Sequence, residues 1–197
     1  YTQIASAIRG TIREKYWDAT RGLFADTYDH RSFSQHVNSL AILAGIVTGE
    51  EATRVMERTL NDSSLIQATI YFRYYVHQAL KVAGMGDHLL DNLQIWRDQM
   101  ALGLTTWAEM PEPTRSDCHA WGASPNIEFF RILLGIDSNA PGFKSIRIAP
   151  SLGDLKEVSG TMPHPVGSVT ASYKLDKKGK LTARLILPTG TDGVFVW

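Results

Sequence analysis

The sequence predicts a mainly α chain, part of a helical toroid, followed by an antiparallel β-sandwich segment. Three observations carry this expectation. Apolar residues recur at helical spacing from Tyr1 to about Leu134. The helical segments follow one another in close succession, and one is apolar nearly all round, as an inner helix of an α/α barrel would be. After Asp137 the helical period gives way to short alternating runs separated by turn clusters.

In order, Tyr1–Tyr16 places Ile4, Ala7, Ile8 and Ile12 on one helical face, with Arg9, Arg13, Glu14 and Lys15 opposite. Residues 17–31 read as loop, with a short extended piece at Leu23-Phe24-Ala25. Ser32 or Ser34 is placed to cap a mostly apolar helix from about Phe33 to Val47, stopped by Gly49. Glu50–Leu60 is a short amphipathic helix carrying Ala52, Val55, Met56 and Leu60 on one face. Leu65–Val82 reads as a third, buried helix ended by Gly84 and Gly86. Asp87 is placed to cap a helix with Leu89, Leu93, Trp96 and Met100 on one face, and Ser124-Pro125 opens a last helix that stops at Gly135. Expected strands follow at 144–149, 158–162, 168–175 and 181–187, joined by hairpins.

Composition narrows the function. Lys plus Arg balances Asp plus Glu, 20 against 20, so the charge gives no reason to expect nucleic acid or an anionic membrane as partner. One cysteine excludes an internal disulfide framework and a multi-cysteine metal site. The histidines show no metal spacing, and there is no phosphate loop or dinucleotide fingerprint, so the expected cofactor is none. No apolar run approaches the roughly 18 residues of a membrane span. The chain begins at Tyr1 and ends at Val196-Trp197, in what reads as mid-strand, so we expect a fragment of a longer protein. Cytoplasmic, periplasmic and secreted locations all stay open.

The stretch Thr105–Ser124 holds the chemistry. It carries Glu109, Glu112, Asp117, Arg115, His119, Cys118, Trp107 and Trp121, and its prolines, Pro111 and Pro113, keep it from being a helix. Carboxylates beside tryptophans suit a sugar: indole faces pack on pyranose C–H groups, and carboxylates accept hydroxyl hydrogen bonds or transfer protons. Each residue also has a plainer role. Trp107 and Trp121 read equally well as core, and His119 as a structural histidine. Arg115 and Asp117 can pair to fix the loop, or Arg115 can hold a neighbouring carboxylate ionised. Cys118 reads as a buried small side chain. Of Tyr71, Tyr74 and Tyr75, one can line a barrel mouth. Gln35, His36, Asp26 and Asp29 fit either a cavity or a solvated loop.

Several segments together resemble bacterial α-L-rhamnosidases, inverting enzymes of glycoside hydrolase family 78. They are Gln35-His-Val-Asn-Ser-Leu-Ala-Ile-Leu-Ala-Gly, Tyr71-Phe-Arg-Tyr-Tyr-Val-His-Gln-Ala-Leu, Thr105-Thr-Trp-Ala-Glu, Ser116-Asp-Cys-His-Ala-Trp-Gly-Ala-Ser-Pro and Pro141-Gly-Phe-Lys-Ser-Ile-Arg-Ile-Ala-Pro. The resemblance implies that residues 1–137 are the latter part of an (α/α)6 catalytic barrel and 138–197 a C-terminal β-sandwich domain. It implies hydrolysis of terminal α-L-rhamnosides with inversion, with a rhamnose-containing glycoside or polysaccharide as substrate and the remainder of the parent chain as partner. Glu109 maps onto the general base and His119 onto a sugar contact, with Trp107, Trp121 and Glu112 as further substrate-binding candidates. No segment matches the general acid, which is expected upstream. Glu112 stays open as the working carboxylate, and another toroid glycosidase or a non-catalytic carbohydrate-binding module stays open as a rival reading.

Overall fold

The computed structural model describes residues 1–111 and 113–197. Backbone contacts divide the chain into two compact units, residues 1–85 with 94–123 and residues 86–93 with 124–197.

The first unit is helical. Helix α1 (Thr2–Tyr16) leads into a two-residue antiparallel pair, β1 (Trp17–Asp18) with β2 (Leu23–Phe24). Helices α2 (Gln35–Leu43), α3 (Gly49–Asn61), α4 (Ile70–Val82) and α5 (Gln94–Ala101) follow. The core gathers Leu23 and Phe24 with Ala41, Ile42, Val55, Met56, Val76, Ala79 and Leu80. Each large apolar side chain buried there stabilises the unit by about 1.5–3 kcal/mol. Asn38, fully buried on α2, accepts from Phe24 N–H at 2.8 Å and donates to Phe24 C=O at 3.1 Å, so a polar side chain stitches β2 to the helix.

Ser34 caps α2 as expected, accepting from Val37 N–H at 3.2 Å. Other expectations need correction. Helix α2 ends at Leu43 rather than Val47, because the chain turns at Gly45 (φ 66°) and Ile46 N–H bonds back to Ala41 C=O. Gly49 opens α3 rather than ending the preceding helix. Helix α4 starts at Ile70, not Leu65. The residues before it are claimed by other partners: Ile66 N–H donates to Phe33 C=O, and Ala68 N–H to the buried Gln35 side chain at 2.9 Å. Gln35 is therefore structural. Nor is α4 buried all round, since Tyr71 is 51% exposed and Val82 57%. The apolar face of α1 is open too: Ile4 and Ile8 are exposed, while Ile12 and Tyr16 touch the core. Asp26 accepts from the hydroxyls of Ser32 and Ser34, Asp29 from that of Thr27, and His36 packs on Phe72.

In the second unit, Asp87 does not cap a long helix. Its carboxylate accepts from Gly153 N–H at 2.8 Å, and residues 86–93 form two 3-10 turns instead. Helix α6 (Pro125–Glu128) continues as a single π turn, Phe129–Leu133, and Ser124 makes no side-chain cap. Six strands follow: β3 (Ile136–Ser138), β4 (Ser145–Ile148), β5 (Glu157–His164), β6 (Gly167–Leu175), β7 (Leu181–Ile186) and β8 (Asp192–Phe195). Strands β5-β6-β7 form an antiparallel meander, as the alternation predicts. The other sheet, β3-β4-β8, departs from the all-antiparallel expectation, because β4 and β8 pair in parallel. Parallel neighbours need a long crossover, and here the whole β5–β7 meander supplies it. Ile136, Ile146 and Ile148 from one sheet share a core with Val169, Ala171 and Tyr173 from the other, and the Tyr173 hydroxyl donates to Leu134 C=O at 2.8 Å. Burial pushes that hydroxyl's pKa up, so the phenol is held neutral and stays a donor.

Candidate functional site

The stretch from Thr105 to His119 leaves α5 and folds back on itself. His119 N–H donates to Trp107 C=O at 2.8 Å, Glu109 N–H to Ser116 C=O at 2.9 Å, and the Thr106 hydroxyl to Asp117 C=O at 2.5 Å. These bonds align residues 106–109 against 116–119. Two side chains of α5 moor the loop. Ala108 N–H donates to the buried Gln99 side chain at 3.0 Å, and Trp96 Nε1 donates to Gly122 C=O at 2.7 Å. Sequence reading placed Trp96 on the apolar face of its helix and passed over Gln99. A glutamine in the last turn of a helix carries no signal that it will serve a loop nine residues on.

Gly122 sits where the loop enters the 3-10 turn Ala120–Ala123. A Cβ there would lie 2.4 Å from the Trp107 Cβ, which is anchored to backbone and has no rotamer to escape into. Gly122→Ala is therefore expected to push Trp107 and the paired segment apart, at about 1–3 kcal/mol in thermal or denaturant unfolding. A variant as stable as the wild type would show that the loop is not packed this way.

The loop presents Glu109 to an open cleft of about 540 Å³, lined by Thr69, Tyr71, Glu109, Met110 and Trp121. Tyr71 comes from the first turn of α4 and meets Trp121 edge-on, with ring centres 5.6 Å apart. His119 packs against Trp121 at 4.4 Å. Its Nδ1 is buried without a hydrogen-bond partner among the described residues. The cleft thus has an aromatic wall of Tyr71 and Trp121, with His119 against Trp121 and one carboxylate among its described lining residues.

Glu109 is held in a two-pronged ion pair. Arg115 Nε donates to Oε2 at 2.8 Å, and the Arg115 Nη2 donates to Oε1. The Glu109 side chain is 12% exposed and the Arg115 side chain 78%. The hydrogen bonds from Arg115 hold the Glu109 carboxyl below the usual carboxylate range; burial opposes them in part, and the Arg115 charge, with a smaller effect of the nearby His119, adds to them. Glu109 is accordingly ionised at neutral pH. The pairing of Arg115 with Asp117 is not formed; Asp117 is exposed and contributes its backbone carbonyl instead.

Of the other candidates, Trp121 stands in the cleft wall, whereas Trp107 does not line it and packs against Gly122. Glu112 lies outside the described residues. Cys118 is exposed rather than buried. Among the described residues no group of three or more His, Cys, Asp or Glu side chains is placed to hold a metal ion, and no helix is long and apolar enough to cross a membrane.

Comparison with known proteins places this arrangement. Residues 135–196 match the family model of the bacterial alpha-L-rhamnosidase C-terminal domain. The GH78 family rhamnosidase of Bacillus sp. GL1 superposes with a TM-score of 0.75 and 26% identity over 95% of this chain. The chain is similar to the α-L-rhamnosidases. It spans 23% of the length of that Bacillus rhamnosidase, so it corresponds to a part of such a protein. The fold is shared with the native rhamnosidase of Aspergillus terreus (TM-score 0.82, 18% identity, all of this chain and 24% of that one). It is also shared with the Streptomyces avermitilis α-L-rhamnosidase complexed with L-rhamnose (TM-score 0.73, 16% identity, 99% of this chain and 20% of that one). No curated protein sequence matches the chain. The likeness to the Bacillus rhamnosidase runs through both compact units, since that match covers nearly the whole chain.

Proposed function

We propose that this chain belongs to a glycoside hydrolase that removes terminal α-L-rhamnose with inversion, and that Glu109 is its general base. On this reading, residues 1–137 are the latter part of an (α/α)6 catalytic barrel and 138–197 its C-terminal β-sandwich domain. The observation that carries the reading is an ionised glutamate in the wall of a cleft beside exposed aromatic rings.

The chemistry follows from that placement. An inverting hydrolase needs two carboxyl groups roughly 6.5–9.5 Å apart, with a water between the base and the anomeric carbon. Glu109, negatively charged, accepts a hydrogen bond from that water and takes its proton as the new C–O bond forms. A second carboxyl, protonated, gives its proton to the departing oxygen; the reading assigns it to a part of the parent protein outside these 197 residues. Trp121 and Tyr71 provide a face for the sugar's C–H groups, and His119 and Glu112 are proposed to contact its hydroxyls. Trp107 acts from behind by holding the paired loop. The L-rhamnose complex of the Streptomyces rhamnosidase supports a rhamnoside as substrate. No step in this scheme needs a metal or an organic cofactor.

The test uses the full-length parent with an aryl α-L-rhamnoside, followed by proton NMR during the first turnovers. The expected first product is β-L-rhamnose, before it mutarotates. First release of the α anomer would overturn the inverting, single-displacement scheme, and no release of rhamnose would overturn the substrate.

A further inference from the structure

The Arg115 guanidinium is the structure's most specific contact to the Glu109 carboxylate, and the reaction itself does not consume it. Both prongs of the fork reach the same carboxylate, one to each oxygen. Such a pair fixes the plane of a carboxylate as well as its charge, which a lysine ammonium, acting as a point charge, does not. Among the described residues Glu109 is the one partner of this guanidinium. The approach is from the solvent side, since Arg115 is largely exposed and Glu109 largely covered. Removing the arginine therefore takes nothing from the core.

We propose that Arg115 is a positioning residue for Glu109, holding its carboxylate in the orientation that presents its free lone pairs to the cleft. A carboxylate offers about four acceptor sites. The fork takes two of them and leaves capacity for a water in the cleft. The pairing of residues 106–109 with 116–119 brings the two side chains together, so the same backbone bonds that shape the loop also set the fork. The other groups around Glu109 do not duplicate it. Thr69, Tyr71, Met110 and Trp121 share its cleft without a cationic group, and His119 acts on it through charge and not through a hydrogen bond.

This inference rests on Glu109 being the base, and the test separates the two. In the parent enzyme, Arg115→Met should lower kcat on an aryl α-L-rhamnoside by about 100-fold through misplacement of the base, with KM unchanged. The acid limb of its kcat/KM profile should move to higher pH, because an unpaired Glu109 protonates more readily. Arg115→Lys should bring the acid limb back towards the wild type while kcat stays low, since charge returns without the fork. Wild-type kcat in the methionine variant, full recovery of kcat by lysine, or a rise in KM alone would each overturn the positioning role. A readout without turnover completes the test: carbon-13 NMR titration of the Glu109 carboxyl, assigned by its loss in Glu109→Gln. Its midpoint should rise in Arg115→Met. An unmoved midpoint overturns the pairing whatever the reaction. A raised midpoint in a protein whose Glu109→Gln variant is fully active would overturn the base instead and leave the pairing standing.

Discussion

Glu109→Gln in the full-length parent is expected to lose about 10²–10⁴-fold in kcat on an aryl α-L-rhamnoside, the range a positioned general base contributes. Glutamine keeps the shape and one acceptor oxygen but has no basicity at working pH. The fold should survive, because Glu109 is partly exposed and its backbone N–H remains bonded to Ser116 C=O. KM should change little, since the water and not the sugar is the group that depends on the charge. The pH dependence follows from the sign of the shift. Glu109 is held below the usual carboxylate range, so it is ionised above that depressed value and the wild-type rate falls only as pH drops through it. The acid limb of kcat/KM, which reports the free enzyme, should therefore lie below the range of an ordinary glutamate. Acidification should also weaken the Arg115 pair over the same window, because the depressed carboxyl contributes stability that is lost as it protonates.

Gly135→Ala should unfold the second unit under conditions where the wild type is stable. Gly135 links the π turn to β3 with φ at 69°, in the left-handed region. A Cβ there would stand 2.1 Å from the Ala149 carbonyl carbon and 2.3 Å from Pro150 N, all backbone atoms with nowhere to go. Left-handed strain and overpacking together are expected to cost about 2–5 kcal/mol. The neighbouring Leu134 carbonyl, which receives the Tyr173 hydroxyl, would be displaced with it. Denaturant unfolding followed through β-sheet circular dichroism checks this. A midpoint equal to wild type would mean that the contact of Gly135 with the segment after β4 is not a constraint.

Much of this architecture is legible in the residues, because it rests on local periodicity. The face Ala52, Val55, Met56 defines α3 within one residue at each end, and the alternation Val169, Ala171, Tyr173 defines β6 and the side it buries. What is not legible depends on partners far along the chain. The apolar run from Leu65 looks helical, but Gln35 and Phe33 capture its first N–H and C=O groups. Asp87 looks like a cap, but Gly153 claims its carboxylate 66 residues away. The chain's end reads as strand, but β8 begins among turn residues, and its parallel pairing with β4 depends on a partner far back in the chain. The candidate site shows the same division. Glu109, Trp121 and His119 stand together because one short stretch carries them all. That Arg115 reaches Glu109 rather than Asp117 depends on how the loop folds back, which side-chain chemistry alone does not choose. Tyr71, 50 residues distant from Trp121, joins the cleft only through the packing of α4.

The central claim is that Glu109 is the carboxylate that activates water, and its nearest rival is Glu112, three residues on. The most direct measurement is kcat of the parent enzyme on an aryl α-L-rhamnoside for Glu109→Gln beside Glu112→Gln, with circular dichroism to confirm that both remain folded. The expected result is collapse of kcat in Glu109→Gln alone. Collapse in Glu112→Gln alone, with Glu109→Gln near wild type, would contradict the account and move the base to Glu112.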